Sequence, residues 1–179
     1  MSKRFIKNMH SAIRNKPNTP LIIHMKTNGG DWQEGMAIYD TIRSCPWPVT
    51  ILNYTHARSM SSIIFQAANK RVMMPHSYFM VHDGEYGITG TLKQVRSAVD
   101  FDSHTDKVMM DIYVKSMKEA PYFKGKSDDQ IAKWLRTLMD KKEDVYFTAE
   151  EAVLYGFADE IYDYNMANLT LYTDQQLKR

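Results

Sequence analysis

The sequence predicts a layered α/β fold of βαβ units with mostly parallel strand pairing and one long projecting helix. Helical and strand-like segments alternate three times through the first half of the chain, a pattern that builds a parallel sheet flanked by helices. Among the strand segments, Leu21-Ile22-Ile23-His24-Met25 is nearly continuously apolar, as expected of a strand covered on both faces, with His24 packed in the core. From Thr91 to about Met117 a polar-rich helical stretch carries Leu92, Val95, Val99, Val108, Ile112 and Tyr113. These are too sparse for a core helix throughout, so part of it projects toward another subunit. At 179 residues, 44% hydrophobic and 25% charged, the chain suits one domain with a substantial core, residues 1–163, followed by a polar tail, 164–179.

The elements follow in order. Phe5, Met9 and Ile13 recur every four residues with Lys3, Lys7, Arg14 and Lys16 largely off that stripe, an amphipathic helix over 3–15. After the strand at 21–25 comes Thr27-Asn28-Gly29-Gly30-Asp31, then a helix from Trp32 to Ile42. Two glycines between strand and helix allow backbone geometry closed to other residues and can aim N–H groups into a cleft. A tight turn capped by Asp31 explains the same segment. It is not a phosphate loop, because the Gly-Lys-Ser/Thr ending is absent.

Val49 to Tyr54 reads as a strand, His56-Ala57-Arg58-Ser59-Met60-Ser61-Ser62 as a sharp turn, and Ile63 to Ala68 as a helical run. Asn69-Lys70-Arg71 makes a turn, Val72 to Met74 a short strand, and Tyr78-Phe79-Met80-Val81-His82 a strand ending on histidine before the Gly-rich 83–90 segment. Ser127-Asp128-Asp129-Gln130 is a capping box opening a helix packed by Ile131, Trp134, Leu135 and Leu138. Thr148-Ala149-Glu150-Glu151 is a second, opening a helix closed by Gly156, and Phe157 to Tyr162 reads as a final strand.

Composition narrows the function. A net charge of +2 gives no steering toward nucleic acid or a membrane surface. The single Cys45 cannot pair internally, which fits a reducing compartment. No run approaches membrane-spanning length, and the basic N-terminal residues precede no apolar leader core. The expectation is a soluble cytoplasmic protein without nucleic-acid or membrane partners. Its 13 methionines read as adaptable core filler.

A serine at a strand-to-helix turn has its hydroxyl exposed near the positive end of a helix, where an oxyanion is stabilised. Serine is also a preferred helix N-cap, so the turn alone leaves both roles open. Ser59, His82 at a strand end and an acid on a later loop would make a nucleophile, a base and an orienting carboxylate. With six histidines and 21 acids in the chain, residue types alone do not select that set.

The local wording selects it. Asn28-Gly29-Gly30 with Gly35-Met36-Ala37-Ile38-Tyr39-Asp40, then Ala57-Arg58-Ser59-Met60, then Met80-Val81-His82, then Ala149 to Asp159 resemble, block by block and in order, the Clp protease proteolytic-subunit (ClpP) family. The likeness runs from about residue 5 to 163, and Ser59 stands 29 residues beyond Gly30, the family's spacing. The resemblance implies the crotonase-like fold with its handle helix and a serine endopeptidase acting on unfolded polypeptide. It implies Ser59 as acylating nucleophile, His82 as general base, Asp144 as orienting carboxylate, and the Gly30 and Met60 N–H groups as oxyanion hole. Asp140 and Glu143 are alternative acids, and His56 is a rival base. The resemblance also implies seven-membered rings stacked in pairs around a chamber, meeting through the segment 84–90 and the helix 91–117. An AAA+ unfoldase partner would spend the ATP, and this subunit would need no cofactor and no metal.

The chain departs from the family in places. It begins near the family's first main helix, which bears on unfoldase docking. Ser61-Ser62 stand where Gly-Ala is usual, and these hydroxyls need partners. The Ser59–His82 interval is slightly short, and residues 120–125 form an insert. Asp83-Gly84 replaces the common Gln-Pro, and Asp83 is placed to compete for the imidazole. Competing readings are a catalytically silent ring or scaffold subunit, a phage capsid-maturation protease of the same fold, and an acyl-thioester enzyme of the wider crotonase-like superfamily.

Overall fold

The computed structural model describes residues 1–85 and 87–165. In chain order they form α1 (Ser2–Asn15), β1 (Leu21–Thr27), α2 (Trp32–Arg43), β2 (Val49–Arg58), α3 (Met60–Phe65), β3 (Lys70–Met73) and β4 (Tyr78–Val81). Then come α4 (Leu92–Met117), α5 (Asp128–Lys141), β5 (Val145–Thr148), α6 (Ala149–Leu154) and β6 (Glu160–Ile161). The expected α/β class is what the chain adopts, with every strand pair parallel except β4 with β5.

The sheet is built on β2. Residues 50–53 pair with both β1 and β3, and Ala57 pairs with both Thr27 and Phe79. So β1 lies along one side of β2, while β3 and then β4 follow each other along the other. Beyond β4, β5 runs antiparallel, with Phe79 opposite Phe147 and Met80 opposite Tyr146. Because successive strand residues point to opposite faces, the row Ala57, Phe79, Phe147 faces the core and all three are buried. Phe157 stacks on Phe79 at 4.7 Å between centroids. The adjacent row, Arg58, Met80, Tyr146, lies on the other face.

The helices carry their local signals. Met9 of the α1 stripe is buried, and α1 packs on α2. Thr91–Gln94, Ser127–Gln130 and Thr148–Glu151 all close capping boxes. At Gly156, φ is +82° and a Cβ would stand 2.9 Å from that of Ala120, so only glycine fits. Helix α4 spans about 39 Å at 1.5 Å per residue. Leu92, Val99 and Phe101 are more than half exposed while burial begins at Met109, so its first half projects, as its sparse apolar pattern predicts.

Several expectations are corrected. The strand at 21–25 is an edge strand with only β2 beside it, and His24 is exposed, its Nδ1 2.9 Å from the Tyr54 hydroxyl. Its neighbour Met25 is buried, and apolar continuity does not reveal which face of a strand is left uncovered. Lys70 and Arg71 belong to β3 rather than a turn. Arg71 is buried because Asp159 pairs with it at 2.6 Å and Gln66 and the Gly156 carbonyl accept from it. The final strand is only Glu160–Ile161, since the Phe157 and Ala158 amides turn back to the Ala152 carbonyl. Strand β5 is unannounced in the sequence reading. The tail expected over 164–179 lies outside the described residues from 166 onward. Among the described residues, no helix is long and apolar enough to cross a membrane.

Candidate active site

Ser59 sits between β2 and α3 with φ 52° and ψ −131°, a backbone state that costs a non-glycine residue free energy and is held only by its surroundings. Its N–H donates to the Met80 carbonyl at 3.1 Å, tying the turn to β4 two residues before His82. The N-cap alternative is decided by the side chain, which makes no capping hydrogen bond. Instead Ser59 Oγ lies 2.7 Å from His82 Nε2.

His82 follows β4 directly, and its Nδ1 is 3.2 Å from Asp144 Oδ1. The β4–β5 register explains this meeting. With Val81 opposite Val145, the next pair outward is His82 and Asp144. Of the candidate acids, Asp144 is the one joined to the imidazole. His56 is engaged elsewhere, stacked on Tyr78 at 5.4 Å. Burial, Arg58 and Lys26, in that order, lower its pKa. Asp83 does not compete for His82, because Arg136 of α5 holds it at 2.5 Å while its other arm takes Asp106 of α4 at 2.6 Å.

The glycine turn packs against the serine turn. A Cβ on Gly29 would lie 2.7 Å from the Arg58 carbonyl and 2.9 Å from the Met60 nitrogen, so the close approach needs glycine. Ser61 locks the two turns together. Its Oγ accepts from Arg58 N–H at 2.9 Å, and its single proton is shared between the Thr27 carbonyl at 2.7 Å and the Arg58 carbonyl at 2.6 Å. Ser62 Oγ donates to the Ser59 carbonyl at 2.6 Å. The serines in place of Gly-Ala therefore have partners. Among the described residues no hydrogen bond takes the Gly30 or Met60 amide as donor, and both residues line the cleft that holds Ser59 and His82.

That cleft has a volume of about 880 Å³, with Met60, Ile63, Met109 and Tyr113 among its lining and Asp102, Asp106 and Glu85 at its polar parts. No group of three or more His, Cys, Asp or Glu among the described residues is arranged to hold a metal ion. Sequence reasoning missed Tyr146, whose hydroxyl donates to Asp144 Oδ2 at 3.1 Å and accepts from Arg58 Nη2 at 3.2 Å. The signal was there, because Tyr146 stands two residues from Asp144 and strand alternation puts both on one face. Desolvation and then the Asp144 carboxylate raise the Tyr146 pKa. Ser61 and Ser62 bond back to the carbonyls three residues earlier, as their sequence position suggests, whereas Tyr113 carries no such local signal.

A mostly parallel α/β sheet with a strained serine at a strand-to-helix turn, bonded to a histidine that is bonded to an aspartate, has the architecture of a serine hydrolase. A model of the Clp protease family matches residues 1–165, and the chain belongs to that family, whose members are peptide-bond hydrolases. It is 28% identical over 147 residues to the ATP-dependent Clp protease proteolytic subunit 1 of Corynebacterium jeikeium (strain K411), covering 81% of this chain and 71% of that one. It is 32% identical over 145 residues to proteolytic subunit 2 of Thermobifida fusca (strain YX), covering 79% and 64%. It is 29% identical over 154 residues to the proteolytic subunit of Deinococcus radiodurans, covering 85% and 69%. These homologues support serine endopeptidase function for this chain.

Proposed function

We propose that the chain cleaves peptide bonds of unfolded polypeptide through an acyl-enzyme on Ser59. The observation that carries the reading is the continuous run of contacts from Ser59 Oγ through the His82 ring to Asp144. With Asp144 accepting from Nδ1–H, the Nε2 lone pair faces the hydroxyl. His82 takes the Ser59 proton as Oγ bonds to the scissile carbonyl carbon, and the oxyanion is met by the Gly30 and Met60 N–H groups. Each such donor is worth about 3 kcal/mol in hydrolases. His82 then hands the proton to the departing amine as the C–N bond breaks. Water, deprotonated by the same ring, releases the acyl group and restores Ser59.

Family membership supports an oligomeric protease that works with an ATPase. The fuller reading is two stacked heptameric rings around a chamber, fed by an AAA+ unfoldase in the cytoplasm, with no cofactor or metal in this subunit and no nucleic-acid or membrane partner. Exposed Leu92, Val99 and Phe101 on α4 suit an inter-ring contact. The intact Ser59–His82 bond favours this reading over a silent scaffold. A fluorophosphonate probe is expected to label wild-type protein at Ser59 and to leave Ser59→Ala unlabelled. Oligomeric, folded wild type that stays unlabelled and cleaves no peptide overturns the reading.

A further inference from the structure

We propose that Tyr146, held by Arg58, is a positioning residue that sets the Asp144 carboxylate against His82; the catalytic meaning of this rests on the serine-peptidase reading above. Asp144 is 38% exposed and precedes β5, so nothing in the backbone stops its carboxylate from turning to water. One oxygen, Oδ1, meets His82 Nδ1, and the other, Oδ2, accepts from the Tyr146 hydroxyl. Two donors on opposite oxygens define the carboxylate plane, which one donor alone does not. A carboxylate so held keeps the imidazole in the tautomer whose Nε2 can accept from Ser59.

Arg58 closes the circuit. It precedes the nucleophile, and both its backbone groups are bonded to Ser61 Oγ. From there its guanidinium reaches across the sheet row over Met80 and donates to the Tyr146 hydroxyl, lying 5.7 Å from the centre of that ring. Occupying the phenol oxygen's lone pair leaves its single proton for Asp144, so Arg58 fixes the direction of the Tyr146–Asp144 bond. The nucleophile and the acid are thereby linked by two routes, one through His82 and one through Arg58 and Tyr146. A covering role for the same pair is the alternative, since Met80 beneath it is only 2% exposed. The two roles separate at one atom, because a phenylalanine ring would cover Met80 and would not bond to Asp144.

The experiment compares wild type with Tyr146→Phe, Arg58→Met and Arg58→Lys in the assembled protein. In histidine-labelled samples the hydrogen-bonded Nδ1 proton of His82, assigned with His82→Gln, is followed by NMR. It is expected to move upfield or exchange-broaden in Tyr146→Phe, change less in Arg58→Met, and be partly restored in Arg58→Lys. On a fluorogenic peptide, Tyr146→Phe is expected to lower kcat about three- to tenfold with KM unchanged. A Tyr146→Phe protein whose Nδ1 proton stays at its wild-type position overturns the inference, whatever its activity. The resonance reports the contact without requiring turnover, whereas failure of the peptidase reading shows separately, as a wild type that does not react with the fluorophosphonate.

Discussion

The hydroxyls of Ser62 and Tyr113 lie 2.6 Å apart, with both side chains at most 1% exposed. Ser62 has one proton and donates it to the Ser59 carbonyl, so Tyr113 is the donor to Ser62. This bond joins α3, which begins at the nucleophile, to the buried half of α4. Helix α4, whose Met109 and Tyr113 line the cleft, is thereby tied to the helix that follows the nucleophile.

Ser62→Ala leaves the Tyr113 hydroxyl and the Ser59 carbonyl without this partner in a closed interior, at a cost of about 1–3 kcal/mol. Tyr113→Phe leaves Ser62 bonded to Ser59 and costs less, about 1 kcal/mol. Denaturant unfolding of both variants checks the order. Equal losses would mean that the orphaned phenol finds another partner.

Burial raises the Tyr113 pKa above its ordinary value of 10.0, against a lesser lowering by the Ser62 bond. The folded state thus favours the neutral phenol, and the unfolded chain ionises first. The associated stability is present below about pH 10 and is lost as pH rises toward the folded-state value. Thermal unfolding between pH 9 and 11 is expected to show a steeper fall for wild type than for Tyr113→Phe.

Ser59 is one of few non-glycine residues at positive φ among those described. Both Ser59→Gly and Ser59→Ala remove the hydroxyl and abolish labelling. Glycine also relieves the backbone cost, so Ser59→Gly is expected to unfold at higher denaturant than Ser59→Ala, by about 1 kcal/mol. The reverse order would show that the turn is unstrained.

Arg136 binds Asp83 and Asp106 at once. Arg136→Gln frees a carboxylate on the residue next to His82, and kcat/KM is expected to fall about threefold or more. Adding Asp83→Asn removes that charge and should recover most of the loss, whereas additive losses would show that Arg136 acts only through α4.

The readable parts of the fold were those whose physics is local. The capping boxes at Ser127 and Thr148 and the closing glycine at 156 need only about four neighbouring residues to be recognised, and the stripe in α1 repeats within a single helix. The errors fell where distant segments decide. An apolar run suggests a strand covered on both faces and a packed His24, yet Met25 is buried while His24 and Lys26 are exposed, and which face of β1 other elements cover is set by distant segments. Strand β5 alternates buried and exposed positions over Val145-Tyr146-Phe147-Thr148, but four residues are too few for periodicity to separate strand from loop.

The site divides in the same way. The chain's own order of residues determined which segments are helical, that Ser59 follows a strand and precedes a helix, and, through resemblance, which histidine and aspartate to set beside it. Only tertiary structure decided that Ser59 turns from capping to His82, that Arg136 removes Asp83 from contention, and that Tyr146, held by Arg58, reaches Asp144. The reason is register. Pairing β4 with β5 at Val81 and Val145 brings residues 82 and 144 together, and a slip by one would send those side chains to opposite faces of the sheet.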